Sequence, residues 1–564
     1  FPYTTLFRLE NLINYICVQF ENIKFILLKS YKYRAMIAMA FLLNSFLVFG
    51  QGAITPNWVM YSILGVLIVS GLSALVGLTG KLIEMEGQKH GIQLQHEGWF
   101  TKLLNQFTGE TKSSNHHKLS RGFDILLNGG ISDYTIVARP VSRVALKPQN
   151  FVGISPIPKV VVEVGQNVKA GDEIYHDKKH PEIKYTSPVS GEILEVRRGE
   201  KRAISEIVIL ADKDQVYRKF SVPSADADRA ALVNFLCETG AWTWINERPF
   251  DIVPHVETTP KNIFISTFDS APLAPDNNLV VAGQEADFQG GLNVLARLTS
   301  GKVYLGLDGS KKTQLSPAFT AASNVEIHYF SGKHPAGNVG VQIHHIAPIT
   351  GSDKVWTMNV QDVIALGKLF RTGEVNRRRV VAITGNEVKK AQYVSTYCGA
   401  SIAELTQDNV QSGNIRFVSG DVLSGKQVAA DGFMNEGDDQ LTVVTEGDFY
   451  ELFGWLLPIS PRPSVSGTYP NRFFPNMKFD ANTNTHGDKR AFVVTGQYEE
   501  VLPMDIYPQQ LFKAILSQDV EQMEGLGINE LSEEDVALCE FVCTSKQPLQ
   551  QLLREGLDYM RTEA

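Results

Sequence analysis

The chain has 564 residues, 43% of them hydrophobic and 20% charged, with a formal charge of -8. That length exceeds a single core, so several domains are expected, and the acidic balance excludes an electrostatic footprint for nucleic acid. Five cysteines, Cys17, Cys237, Cys398, Cys539 and Cys543, are too few and too scattered for a disulfide framework.

The opening stretch, FPYTTLFR, back-translates to a sequence resembling an adapter oligonucleotide, and Asn, Ile, Lys, Phe and Tyr crowd Leu9 to Ala35. Residues 1–35 therefore read as an adapter and non-coding translation artefact, with native protein beginning at Met36 or later. Residues 36–82 read as a signal-like run, Met36 to Phe49, then a transmembrane helix of 22 uncharged residues, Trp58 to Thr79. Lys81 follows at once, which places the remainder on the cytoplasmic side. Residues 83–120 are polar and read as a linker in which His116 and His117 are solvated.

From 121 to 213 apolar and polar residues alternate between Gly/Pro turns, as in VVVEVGQNVKAGDEIYHDKKHPEIKYTSPVSGEILEV. The pattern resembles the barrel-sandwich hybrid of lipoyl and biotinyl domains. Lys178 or Lys179 would then be a carrier lysine, but the loop HDKKHPEIKYTSP is long and charged for a tight carrier hairpin. From 214 to 375 the segments NIFIST, DFQGGLNVLARLT, KVYLGL and VEIHYF alternate as a Rossmann-like α/β domain requires. Dinucleotide sites need closely spaced glycines where backbone N–H groups meet pyrophosphate. Here the entry, TGAWTWINERPFDIVP, offers Gly240 and the bulky Trp242 and Trp244. Residues 376–450 read strand, turn, strand, helix, the start of an SLBB (β-grasp) module. Its GDVLSGKQ, Gly420 to Gln427, matches a P-loop pattern only until Gln427, where Ser or Thr should bind magnesium. Residues 451–564 form a helical tail, with amphipathic runs PQQLFKAILSQ and PLQQLLREGLDYMR.

The tail carries the most specific signal. Aligned on CEFVCTSKQPL, its sequence resembles the Rnf-complex C subunit, whose repeated C-x-x-C-x-x-C-x-x-x-C-P run holds iron–sulfur clusters. One ligand set falls on Glu533, Val536, Cys539 and Cys543, the other on Phe492, Thr495, Tyr498 and Leu502, so six of eight ligands are replaced. That loss, together with DKKHPEIKYTSPVSG, HPAG and DVIALG, resembles the A subunit of the Na+-translocating NADH:quinone reductase from about Arg121 onward. The family also resembles the flavin-binding subunit of complex I, whose glycine-rich loop is replaced here by Gly240 to Pro254.

This resemblance implies a peripheral subunit on the cytoplasmic face of the inner membrane, partnered by five other subunits. The assembly is a translocase that reduces membrane quinone and exports Na+. NADH, flavins and iron centres lie on the other subunits, and this chain holds no cofactor, Cys539 and Cys543 being remnants. A docking and quinone-site scaffold, inactive alone, is the expectation. Within SGKHPAGNVGVQIHHIAP, His334, Gly337, His344 and His345 are quinone-proximal candidates, as are Trp242 and Trp244. His344 and His345 are expected on a strand, facing opposite sides. A cluster-bearing Rnf-type electron carrier, a lipoyl carrier and a non-enzymatic SLBB binding module are the alternatives.

Overall fold

The computed structural model describes residues 115–155, 157–310, 315–451, 453, 461–466 and 473–563, and these belong to one compact unit. The expected signal and membrane segments, Met36–Phe49 and Trp58–Thr79, lie outside the described residues. Among the described residues no helix is long and apolar enough to cross a membrane.

Four sheets organise the described residues. The alternating run after residue 140 makes two small antiparallel sheets. One orders Arg143–Leu146, Ile204–Ala211, Gly191–Arg198 and Asn167–Val168; the other orders Lys159–Val160, Glu173–His176 and Lys184–Thr186. Inward residues such as Val144, Ile174, Ile193, Ile207 and Ile209 are fully buried, as period-two patterning requires. The connection bearing Lys178 and Lys179 is ordered around buried Asp177, which accepts from Lys179 N–H at 3.1 Å. His180, in the same loop, packs against His255 with ring centroids 5.0 Å apart.

The α/β part is a six-stranded sheet ordered His116–Lys118, Glu326–Ser331, Val303–Asp308, Asn262–Ser266, Val355–Thr357 and Asn246–Arg248. All neighbours run parallel except the last pair. Counting its four inner strands in chain order gives 3-2-1-4, the doubly wound arrangement. The helices Glu285–Leu295 and Val360–Thr372 pack closely because Gly291 and Gly367 carry no Cβ; a Cβ at Gly367 would lie 1.7 Å from the Asp287 carbonyl oxygen. A second six-stranded sheet, ordered Lys426–Val428, Ile415–Ser419, Gln440–Thr445, Arg378–Thr384, Gln392–Tyr397 and Ile136–Ala138, forms the SLBB part. Gly420 to Gln427 is a turn entering an edge strand, not the helix a P-loop needs.

The tail folds as the helices Tyr498–Val501, Pro508–Leu516, Val520–Gly525, Glu533–Val542 and Leu549–Glu563 around their own apolar cluster. Glu533–Val542 starts on a capping box, Ser532 with Asp535, which satisfies two orphan amides.

Two local expectations are corrected. His116–Lys118, read as the end of a solvated linker, is an edge strand paired in register with Tyr329–Ser331. The His117 ring stacks on Phe330 at 4.5 Å, which offers an apolar reason for a polar sequence to order. His344 and His345 close the helix Val339–Ile346 instead of lying on a strand. The β-branched run VGVQI favours a strand locally; burial of Val341 and Ile343 between the sheet and the tail overrides it.

Candidate functional site

The expected site residues fall at three separate places. His334 and Gly337 lie just beyond the strand Glu326–Ser331, beside the loop that leaves Asn262–Ser266. Carboxyl ends of parallel strands are where doubly wound sheets receive ligands. The Gly337 N–H donates to Ser270 Oγ at 2.8 Å, and the same hydroxyl is hydrogen-bonded to His334 Nδ1 at 3.1 Å. His334 is 4% exposed, its Nε2 has no partner, and burial lowers its pKa against the pull of Asp421, Asp124 and Asp535.

Gly337 is there because the backbone comes so close. An added Cβ would lie 2.5 Å from Ser270 N and 3.0 Å from the Phe268 carbonyl oxygen, neither of which is a flexible side-chain end. Gly337→Ala is expected to cost about 1–3 kcal/mol through overpacking. A lower Tm, with faster hydrogen exchange across 334–338, checks this; an unchanged Tm would contradict it.

His344 and His345 act together on one segment, contrary to the strand expectation. His344 Nδ1 donates to Glu530 Oε2 at 2.8 Å, and its Nε2 accepts from Asp505 N–H at 3.0 Å. His345 Nε2 donates to the Pro503 carbonyl at 2.7 Å. Both rings thus fasten the tail onto the α/β part. Behind them His328 Nε2 donates to Glu326 at 3.1 Å, so its Nδ1 accepts from His117 Nε2 at 3.0 Å. Burial, then His328 and His345, pushes His117 down to about 4, which keeps the His117 ring neutral at physiological pH.

Trp242 and Trp244 lie in a 3-10 turn after Gly240, which takes φ 80° to end the helix Arg229–Thr239. Trp242 is fully buried, edge-on to Trp356 at 5.2 Å, with Nε1 donating to the Pro254 carbonyl at 2.8 Å. Trp244 turns the other way, under the Arg377 guanidinium at 4.4 Å. It borders a water-sized crevice of about 20 Å³ at the meeting of the three β-containing parts, lined also by Phe151, Tyr185, Thr243 and Glu436.

Sequence reasoning missed two buried ion clusters. Arg248, 2% exposed, reaches Asp251 at 3.6 Å and both Glu534 and Asp535 at 3.3 Å. Asp362 meets Arg377 at 2.6 Å and Arg379 at 3.0 Å, with Glu436 on the far side of Arg377 at 2.5 Å. The sequence signals were weak: NRRRV shows basic residues entering a strand, but nothing in it names their partners.

The tail tests the cluster alignment directly. Tyr498, from one aligned set, donates its hydroxyl to Cys543 Sγ of the other at 2.8 Å. This crossing is what ferredoxin-type tandem motifs show, where the fourth ligand of each run serves the other cluster. Cys539 Sγ lies 3.9 Å from the Tyr498 carbonyl, and Phe492 stacks on Tyr498 at 6.2 Å. Val536 and Leu502 are fully buried apolar residues at ligand positions. Burial raises the Cys539 thiol well above its ordinary range, opposing the thiolate a cluster needs. This donor set does not fit an iron–sulfur cluster. Burial likewise pushes Cys237 to about 12 and Cys398 to about 11. A thiol reagent at pH 8 should therefore leave Cys237, Cys398, Cys539 and Cys543 unmodified in the folded chain and label all four in urea; rapid native labelling of the tail pair would contradict the packing.

Comparison with known proteins agrees with this anatomy. Family models match at residues 117–212 (NqrA N-terminal barrel-sandwich hybrid domain), 227–375 (NqrA second alpha/beta domain) and 380–430 (NQRA C-terminal domain). The A subunit of the Na(+)-translocating NADH-quinone reductase of Vibrio atlanticus is 37% identical over 449 residues, 79% of this chain and 99% of that one. Those of Shewanella frigidimarina and Vibrio anguillarum are 38% and 37% identical over the same spans. Two crystal structures of an NAD+-reducing [NiFe]-hydrogenase align at TM-scores of 0.30 and 0.33, with 13% and 11% identity. They cover 39% and 60% of this chain, and 47% and 62% of theirs, and carry no argument. The chain belongs to the NqrA family, that of the A subunit of the Na+-translocating NADH-quinone reductase.

Proposed function

We propose that this chain is the cofactor-free, peripheral scaffold of the reductase, held with five other subunits on the cytoplasmic face of the inner membrane. In this reading it shapes the quinone site while NADH, flavins and iron centres stay on its partners, and it does no chemistry alone. The carrying observation is that both places a redox cofactor would take are filled by packed side chains. Tyr498 and Cys543 bond to each other where the cluster ligands align, and Trp242 is buried against Trp356 within Gly240 to Pro254, the segment that stands in place of the flavin subunit's glycine-rich loop. The crevice at the carboxyl ends of the sheet supports the same reading. Its carboxylates, Asp269, Asp421 and Asp535, would repel a pyrophosphate.

Among the quinone-proximal candidates, Trp244 is the better placed. It borders a surface crevice, whereas both ring nitrogens of His344 and Nε2 of His345 are committed to the tail. Reconstitution tests the role. Removing the chain from the purified complex should abolish NADH-driven quinone reduction but leave NADH oxidation by an artificial acceptor, and adding it back should restore the former. Full quinone reduction without the chain would refute the proposal.

A further inference from the structure

Between the SLBB sheet and the helical tail the sequence changes character. The 28 residues from Leu452 to Phe479 contain no Asp or Glu, although these number 61 in the 564 residues overall. Their charged residues are Arg462, Arg472 and Lys478, all basic, in a chain whose formal charge is -8. Phe453, Trp455, Tyr469, Phe473, Phe474 and Phe479 supply aromatic rings.

One part of this stretch is an anchored turn. Met477 N–H donates to the Phe474 carbonyl at 3.0 Å, with Pro475 and Asn476 at the centre. Proline's fixed φ suits the second position of such a turn. The base is fastened to the strand-like segment around Leu127. Phe479 N–H donates to the Leu126 carbonyl at 2.9 Å, Asn128 N–H donates to the Phe479 carbonyl at 2.8 Å, and the Phe479 ring is buried. Met477 packs on the apolar cluster of the tail. Phe473 and Phe474 do the opposite. They are 79% and 63% exposed, and Pro475, Asn476 and Lys478 beside them are exposed too. Two adjacent phenylalanines standing in water on an anchored turn are apolar surface that folding has not used.

We infer that this turn, Phe473 to Lys478, enters the headgroup layer of a bilayer containing anionic lipid. The inference rests on the proposed place of the chain at a membrane. Aromatic rings settle at the headgroup level of a bilayer, and a basic side chain beside them is drawn to lipid phosphate. Charge selects lipid over a protein groove. An anionic surface repels a chain of charge -8 unless the contacting part is free of carboxylates and carries cations, which is the composition from Leu452 to Phe479. An apolar groove on a protein sets no such condition.

The test uses the full chain and a local readout. Asn476→Cys puts a thiol at the exposed centre of the turn, where the buried native cysteines do not compete, and an environment-sensitive dye on it reports its surroundings. The parent chain, treated alike, gives the background. Vesicles of phosphatidylcholine with phosphatidylglycerol should shift the emission to the blue, and a spin-labelled lipid in them should quench it. Phosphatidylcholine alone should act only at higher lipid concentration. Phe473→Ser with Phe474→Ser changes two exposed side chains and so retains the fold. It should raise the lipid needed for half the shift about tenfold. A dye neither shifted nor quenched, an equal response to both vesicles, or a double variant that titrates like its parent overturns the inference. So does a dye that is shielded in the assembled complex yet unquenched by spin-labelled lipid there, since a partner subunit then covers the turn. A chain that binds vesicles through this turn but never co-purifies with the other subunits would instead overturn the proposed function.

Discussion

Arg248→Met will loosen the helical tail from the α/β part and cost roughly 3–5 kcal/mol. The guanidinium is the buried cation that holds Asp535, whose side chain is inaccessible to water, at 3.3 Å. Its loss leaves that carboxylate buried beside Asp251 and Glu534 without a counter-charge. Asp535 also closes the capping box of Glu533–Val542, so disturbing it reaches the helix that carries Cys539. Urea-dependent labelling of Cys539 and Cys543 reads the effect, because both thiols are buried in the tail core. The labelling midpoint should fall in Arg248→Met and recover partly in Arg248→Met with Asp535→Asn, since the second change removes the stranded charge. A midpoint equal to that of the wild type would show that the pair does not hold the tail.

Asp362→Ala should be comparably damaging. One carboxylate oxygen serves both Arg377 and Arg379, each almost wholly buried, so its removal leaves Arg377 with Glu436 alone and takes from Arg379 its ion-pair partner. A loss of about 3–5 kcal/mol is expected, with Asp362→Asn milder because it keeps an acceptor. The pH dependence has a definite sign. Burial opposes ionisation of Asp362, but Arg379 and Arg377 overcome it and hold the carboxyl below the usual aspartate range. A depressed carboxyl contributes stability that is complete above the unfolded value and is lost as pH falls through the folded one. Wild-type stability should therefore fall on acidification below about pH 4, and Asp362→Asn should lack that component. Thermal unfolding between about pH 3 and pH 7 checks both. Identical acid profiles for the two proteins would contradict the assignment.

Neither cluster was visible in the sequence: Asp362 meets Arg377 and Arg379 only 15 and 17 residues on, but from a helix onto the entry to the following strand, where no single period pairs them. Arg248 and Asp535 are 287 residues apart, and no local pattern predicts a contact at that separation. What was legible was periodic or punctuated. Alternation marked the strands of the barrel-sandwich part, and βαβ spacing marked the sheet whose inner order is 3-2-1-4. The tail was legible through spacing of another kind. Tyr498 and Cys543 align as ligand positions of different motifs, and the fold brings them to 2.8 Å.

The misreadings came where tertiary contacts outweighed local preference. His344 and His345 sit in a β-branched run that becomes helical once Val341 and Ile343 are buried on either side of it. His116–Lys118 is polar and short, and orders through pairing with Tyr329–Ser331. Likewise, nothing in HPAG indicates that His334 ends with one ring nitrogen on Ser270 and the other on nothing.

The central claim is that this chain serves the reductase without a redox centre of its own. The measurement that tests it most directly is purification of the complex from native membranes, followed by isolation of this chain and analysis of its iron, flavin and visible absorbance. The account predicts that the chain travels with NADH:quinone reductase activity and, once separated, contains neither stoichiometric iron nor flavin. A chain that runs apart from that activity, or that carries either cofactor in stoichiometric amount, would contradict it.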